Sequence, residues 1–172
     1  MNNNPPIARI VIGAIIAVLL QVMVAPYIQL GNAIPDFLLG YTLVVSIVLR
    51  TPAVILAFVL GLIDNLLGGG PVGSMAFLMV IAAFLVTRAY ETLDNDTLFI
   101  PAMILVIAVI IIEFLYGALM VGVAVDANLW EAFIYRTLPC ALYDSLVALL
   151  IYVVAIRVFG GSDREPIMTQ LR

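Results

Sequence analysis

The sequence predicts an all-α integral membrane protein, a bundle of six transmembrane helices with both termini in the cytoplasm. The composition predicts this class, because 65% of the 172 residues are hydrophobic, only 10% are charged, and the mean hydropathy is +1.24. A helix needs about 20 apolar residues to cross a bilayer, so a chain of this length has room for six spans and little else. Seven isolated arginines and a net charge of −4 provide no basic surface for nucleic acid.

Six apolar segments follow one another with short polar connections between them. We expect spans at residues 7–24, 34–49, 52–67, 72–87, 98–123 and 133–159, of which the third and fourth are short. No small-x-small cleavage site follows the first segment, so we expect it to remain as an anchor. Residues 1–160 then form a single transmembrane domain, and residues 161–172 form a short polar cytoplasmic tail.

The arginines predict the orientation of the chain, because positive charge is retained on the cytoplasmic side of short loops. If the N-terminus is inside, six of the seven arginines fall in inner segments, namely Arg9, Arg50, Arg88, Arg157, Arg164 and Arg172. The exception is Arg136, a few residues inside the last span. Both termini should therefore lie in the cytoplasm.

The second span opens with Pro35 and Asp36. A carboxylate in the first turn of a helix meets the positive end of the helix dipole, and proline fits the same region because it lacks an N–H. We interpret the pair as an N-terminal cap at the membrane interface.

Asp64 is an isolated acid in the third span. A carboxylate in lipid costs about 2.5 to 3.5 kcal/mol, so it needs a partner or a purpose. At about 1.5 Å per residue, Asp64 and Arg136 each lie about one turn from the outer boundary, and we expect them to form a buried pair with Asp36 nearby. Such a pair would hold helices together, and this structural role is favoured over catalysis or transport.

Glu113 and Asp144 both fall near the middle of the membrane by the same counting. If they meet, one of them must hold a proton, because two negative charges would repel each other. The favoured alternative is two separate acids, each bonded to backbone or to a nearby tyrosine, Tyr116 or Tyr143.

A glycine turn separates the third and fourth spans. Gly68, Gly69, Gly70 and Gly73 formally fit the phosphate-binding pattern G-x-G-x-x-G, but they follow a membrane helix, and Pro71 removes an N–H that a phosphate would need. We therefore predict a tight outer turn.

Small residues recur every four positions along the third span, at Ala53, Ala57 and Gly61. Such a stripe lets another helix approach closely. The pattern does not distinguish a helix of this chain from a helix of a partner.

The sequence offers little for catalysis. It has no histidine, hence no imidazole ligand for a metal and no Ser-His or Cys-His nucleophile, and we expect no cofactor. Intramembrane aspartyl hydrolysis by Asp64 and Asp144 remains a remote alternative. The two acids of such a dyad must nearly touch, whereas residue counting separates these two by about 10 Å along the membrane normal.

Three short motifs resemble the family of rod shape-determining protein MreD. They are PDFLL at 35–39, GLID at 61–64 with the glycine turn and GSMA at 73–76, and LPCALY at 138–143. The length, the six spans and the short loops agree with this resemblance. One residue departs from it, since asparagine is expected after the last motif and this chain has Asp144.

The resemblance implies a non-enzymatic scaffold subunit of the bacterial cell-elongation complex, spanning the cytoplasmic membrane several times and involved in cell shape and lateral peptidoglycan synthesis. Its implied partners are MreC, the actin-like MreB, and RodA with a penicillin-binding transpeptidase. We expect Pro35, Asp36, Asp64 and the glycine turn to shape an outer surface that receives the membrane-proximal segment of MreC.

The main alternative is the substrate-binding membrane subunit of an energy-coupling-factor vitamin transporter, which is also a six-helix chain of similar size. A vitamin site needs convergent polar and aromatic groups under a substantial outer loop. Only the glycine turn connects the third and fourth spans here, which favours the scaffold.

Overall fold

The computed structural model describes residues 7–31, 33–49, 53–93, 99–123 and 133–159, and six α-helices account for most of them. They are α1 (Ile7–Met23), α2 (Phe37–Leu49), α3 (Val54–Gly68), α4 (Ser74–Thr92), α5 (Phe99–Val123) and α6 (Leu138–Phe159). A 3-10 turn, Ala25–Tyr27, follows α1, and a π-helical turn, Phe133–Thr137, leads into α6. The predicted count of six helices is confirmed.

Helix α2 is shorter than the expected second span, and α4 is longer than the expected fourth span. Within the described residues, four helical segments are long and apolar enough to cross a membrane, and α2 and α3 are shorter apolar helices. We expected the fourth span to be short, but α4 has 19 residues because it continues past its apolar part to Thr92. Arg88 and Glu91 form an ion pair of 3.3 Å on the surface of this added turn.

The short helix α2 occupies the centre of the bundle. Its residues 38–47 are all buried, and it contacts α1, α3, α4, α5 and α6. A helix that is apolar on every side is stable only when other helices surround it. With 13 residues, α2 is about 20 Å long, less than the thickness of the hydrocarbon core. Its longer neighbours therefore extend beyond it.

Helices α2 and α6 run parallel in close contact. The backbone N–H of Asp36 donates to Asp144, and four residues further along each helix Gly40 packs against Ala148. A Cβ on Gly40 would lie 3.2 Å from the Ala148 Cα. Small residues on both helices thus allow their backbones to approach.

Helix α1 packs antiparallel to α2 along one side of the bundle. The Tyr41 hydroxyl donates to the Ile10 carbonyl at 2.7 Å, and the Tyr41 ring lies over Gly13. Near the other end of α1, the Gln21 side chain accepts a hydrogen bond from the Phe37 N–H. These contacts fix the register of the two helices.

The small-residue stripe of α3 packs inside the chain. A Cβ on Gly61 would lie 2.5 Å from the Cα of Ala76, and Ala57 is fully buried. The partner helix that the sequence left open is therefore α4 at Gly61. Ala53 precedes the first residue of α3.

Three arginines share one end of the bundle. Arg9 is near the start of α1, Arg157 is near the end of α6, and Arg88 is in the last turns of α4. The fourth arginine that the structure describes, Arg136, lies at the opposite end, where α2 and α6 begin. Arg50, Arg164, Arg172 and the polar tail lie outside the described residues.

Candidate functional site

A cavity of about 480 Å³ opens at the end of the bundle where α2 begins. It exists because α2 is shorter than its neighbours, which leaves space above its first turn. All five ionisable residues that the sequence places in or at the edge of the spans line it, namely Asp36, Asp64, Glu113, Arg136 and Asp144. The cavity is thus the polar centre of an otherwise apolar bundle.

Asp36 caps the first turn of α2. Its Oδ1 accepts hydrogen bonds from the N–H groups of Leu38 at 2.8 Å and Leu39 at 2.9 Å. This is the N-cap geometry that satisfies donors with no partner inside the helix. The predicted cap is confirmed, but its location differs. Asp36 is only 8% exposed and lies inside the bundle, because the cap sits on a short, central helix.

Two side chains from other helices satisfy the remaining donors at the start of α2. The Asp36 N–H donates to Oδ1 of Asp144 at 2.6 Å, and the Phe37 N–H donates to Oε1 of Gln21 at 2.8 Å. Every N–H of this buried turn therefore has an acceptor. Sequence reasoning missed Gln21. Its signal was a lone polar side chain in an otherwise apolar stretch of α1.

Glu113 and Asp144 are both buried and line the same cavity, close enough to influence each other electrostatically. Two carboxylates in such a position would repel each other if both were charged. Asp144 bonds to backbone, as the favoured expectation has it, because its Oδ1 accepts from the Asp36 N–H.

The two tyrosines near these acids have other partners. The half-buried Tyr143 donates its hydroxyl to the Ile28 carbonyl at 2.8 Å, tying α6 to the segment after α1. The hydroxyl of Tyr116 contacts Gly70 in the glycine turn. A tyrosine beside an acid in sequence points away from it on a helix, which explains why Tyr143 does not reach Asp144.

Asp64 and Arg136 line the same cavity without forming the predicted ion pair. Arg136 is exposed, not buried as expected, because it lies in the π-helical turn before α6, at the rim. Among the described residues neither side chain has a hydrogen bond or an ion pair, although Arg136 lies close enough to Glu113 to attract it electrostatically. The only described ion pair is that of Arg88 with Glu91.

The glycine turn is as tight as predicted. Gly69 and Gly73 have φ of 67° and 87°, the left-handed region that favours glycine. The Gly69 N–H donates to the Asn65 carbonyl and ends α3. Gly68 lines the cavity, and Pro35 is buried two residues before the first residue of α2.

Asn65, next to Asp64, forms a cap that the sequence analysis missed. It is buried, and its Oδ1 accepts from the N–H groups of Met75 at 2.9 Å and Ala76 at 3.4 Å. Its Nδ2 donates to the Ser74 hydroxyl at 3.3 Å. A side chain of α3 thus satisfies the donors at the start of α4. Its sequence signal was an amide one turn before a glycine turn.

Asp64 and Asp144, the remote candidate pair for aspartyl hydrolysis, line the same cavity. In the part of the chain that the structure describes, Asp64 has no hydrogen bond, and Oδ1 of Asp144 accepts from the Asp36 N–H. Among the described residues, no three acidic or sulfur side chains are grouped closely enough to hold a metal ion.

The described residues define a class: a helical membrane protein in which ionisable side chains of several helices line one cavity. The family model of rod shape-determining protein MreD matches residues 6–159, nearly the whole chain, and the chain belongs to this family. Its members are bacterial membrane proteins that determine rod shape and are not known as enzymes. No significant match was found among curated proteins or among solved structures.

Proposed function

We propose that this protein is a non-enzymatic scaffold subunit of the cell-elongation complex, which binds MreC and the elongation synthase in the cytoplasmic membrane. Membership in the MreD family supports a role in rod shape. MreB, RodA and a penicillin-binding transpeptidase would belong to the same larger assembly. The protein would act by holding these partners together, and its partners would supply the chemistry.

The observation that carries this proposal is the state of Asp64. This half-buried carboxylate forms no hydrogen bond or ion pair with the residues that the structure describes. An unpaired carboxylate at membrane depth costs about 2.5 to 3.5 kcal/mol on insertion scales, so a partner from another chain would recover that free energy. The four carboxyl groups of the cavity face one guanidinium, which favours a partner segment that carries a basic side chain.

The proposed docking site consists of the cavity rim with Pro35, Asp36, Asp64 and the glycine turn. Its location suits the membrane-proximal segment of MreC if the cavity opens to the outer side. The three arginines at the opposite end of the bundle support that orientation, since positive charge is retained in the cytoplasm. The chain would then cross the membrane six times with both termini inside.

A small-molecule site is the second candidate, because a volume of about 480 Å³ lies within the range of ligand pockets. In that case the protein would resemble the substrate-binding subunit of a vitamin transporter in action as well as in helix count. The lining argues against tight binding of a neutral vitamin, since four of its five ionisable side chains are acids.

Affinity isolation of the tagged protein in mild detergent tests the scaffold. We expect MreC to co-purify with the wild type and with Glu91→Ala, and to be lost or strongly reduced with Asp64→Leu. Glu91 is the matched control because it is an acid at the opposite end of the bundle. Recovery of an ATPase pair with a coupling subunit, or equal recovery of MreC with both variants, would overturn the proposal.

A further inference from the structure

A second cavity, of about 410 Å³, lies along the side of the bundle between α1, α2 and α6. Gly13 and Ala17 open it on the α1 side, and exposed apolar side chains, among them Ile16 and Val154, form its rim. Apart from one residue its lining is apolar or aromatic. The exception is Arg9, at one end. We call this cavity the α1–α6 groove.

A second arginine lies at the same end of the groove. Arg157 follows the groove residue Val154 by three positions, which places both on one face of α6. The register of the parallel helices α2 and α6 leads to the same end of the bundle. From the Asp36–Asp144 contact, thirteen residues along α2 lead to Leu49 and thirteen residues along α6 lead to Arg157, so these two residues are level.

The antiparallel register of α1 brings Arg9 within about one turn of that level. Gly13 packs against Tyr41, so Arg9, four residues back along α1, is level with Val45, four residues before Leu49. Both arginines are exposed, and neither forms an ion pair with a described residue.

We propose that the α1–α6 groove binds one phospholipid with an anionic headgroup, whose phosphate contacts Arg9 and Arg157 and whose acyl chain lies along Gly13 and Ala17. The positions of the two arginines determine the direction in which the lipid lies. Both cations are at one end of the groove, and the rest of the groove offers only apolar contacts. Burial of the chain supplies the hydrophobic contribution.

The dimensions of the groove favour an acyl chain over a helix. Arg9 and Leu20 both line it and are eleven residues apart, so it is about 17 Å long, close to half of the hydrocarbon core. This length suits an acyl chain, which occupies one leaflet of the bilayer. A membrane-spanning helix would need a contact surface of about 30 Å.

Native mass spectrometry of the delipidated protein with equimolar phosphatidylglycerol and phosphatidylcholine of identical chains tests this proposal. We expect one saturable lipid, with phosphatidylglycerol preferred. Arg9→Gln and Arg157→Gln should each lower that preference about fivefold. Arg88→Gln should not lower it, because Arg88 lies at the same end of the bundle but on α4. Soluble glycerol phosphate should not compete, since the site also needs the acyl chain.

A matched pair on α1 tests the chain-binding part. Ile16→Trp fills the groove and should reduce binding of both lipids, whereas Ile15→Trp, on the adjacent and similarly exposed residue outside the groove, should not. Thermal unfolding in detergent verifies that both variants fold. Equal affinity for the two lipids, or an equal effect of Arg88→Gln, would overturn the proposal. So would photo-crosslinking from position 16 to a protein in cell membranes, which would assign the groove to a partner helix.

Discussion

The backbone N–H of Asp36 donates a 2.6 Å hydrogen bond to the side chain of Asp144, 108 residues later in the chain. This single contact joins the start of α2 to α6 and sets the parallel register of the two helices. It also connects the N-terminal cap of α2 with the acids of the cavity, because Asp36 and Asp144 both line it. The polar groups of the cavity are therefore structural parts of the bundle as well as candidate contacts for a partner.

Asp144→Leu should destabilise the bundle more than Asp144→Asn does. Leucine leaves the buried Asp36 N–H without an acceptor, which costs about 1 to 3 kcal/mol, whereas asparagine keeps an acceptor oxygen in the same position. Asparagine is also the residue expected here in the family. Thermal unfolding in detergent should show a lower midpoint for the leucine variant only. Equal midpoints for the two variants would mean that this hydrogen bond does not hold α2.

The Asn65 cap should contribute to the packing of α3 on α4. Asn65→Ala removes the acceptor from the Met75 and Ala76 N–H groups, and losses of this kind cost about 0.5 to 2 kcal/mol. Leu66→Ala, on the exposed neighbouring residue, is the control and should have little effect. Chemical unfolding followed by circular dichroism measures both. The cap would be dispensable if the two variants unfolded alike.

Gly61→Ala should destabilise the protein even though alanine is the better helix former. Its Cβ would lie 2.5 Å from the Ala76 Cα, so α3 and α4 would have to separate, at a cost of about 1 to 3 kcal/mol. Gly68→Ala, near the end of the same helix, meets nothing within 4 Å and should be neutral or slightly stabilising. A comparison of the two unfolding midpoints decides between close packing and mere helix propensity.

Hydropathy and local chemistry predicted much of this fold. The six helices, the Asp36 cap and the glycine turn each depend on residues close in sequence, and each was found. The failures share one physical cause. Counting residues from a loop gives a depth in the membrane, but it does not tell which helices are neighbours or that α2 begins inside the bundle.

The site residues illustrate the same limit. Asp64 and Arg136 line one cavity without the predicted contact, because a common depth does not orient two side chains toward each other. Gln21 and Asn65 are visible in the sequence as isolated amides. Their role as caps of other helices depends on tertiary packing, which no local pattern encodes.

Site-directed photo-crosslinking to MreC tests the central claim most directly. A photoreactive residue at Val22 lines the acid cavity, and one at Val11 lies on the same helix near the arginine end, outside both cavities. The two side chains are equally exposed, at 49%. If the cavity receives the membrane-proximal segment of MreC, Val22 should crosslink to MreC and Val11 should not, and Asp64→Leu should abolish the Val22 product. Crosslinking from Val11 alone, or a Val22 product unaffected by Asp64→Leu, would contradict the account.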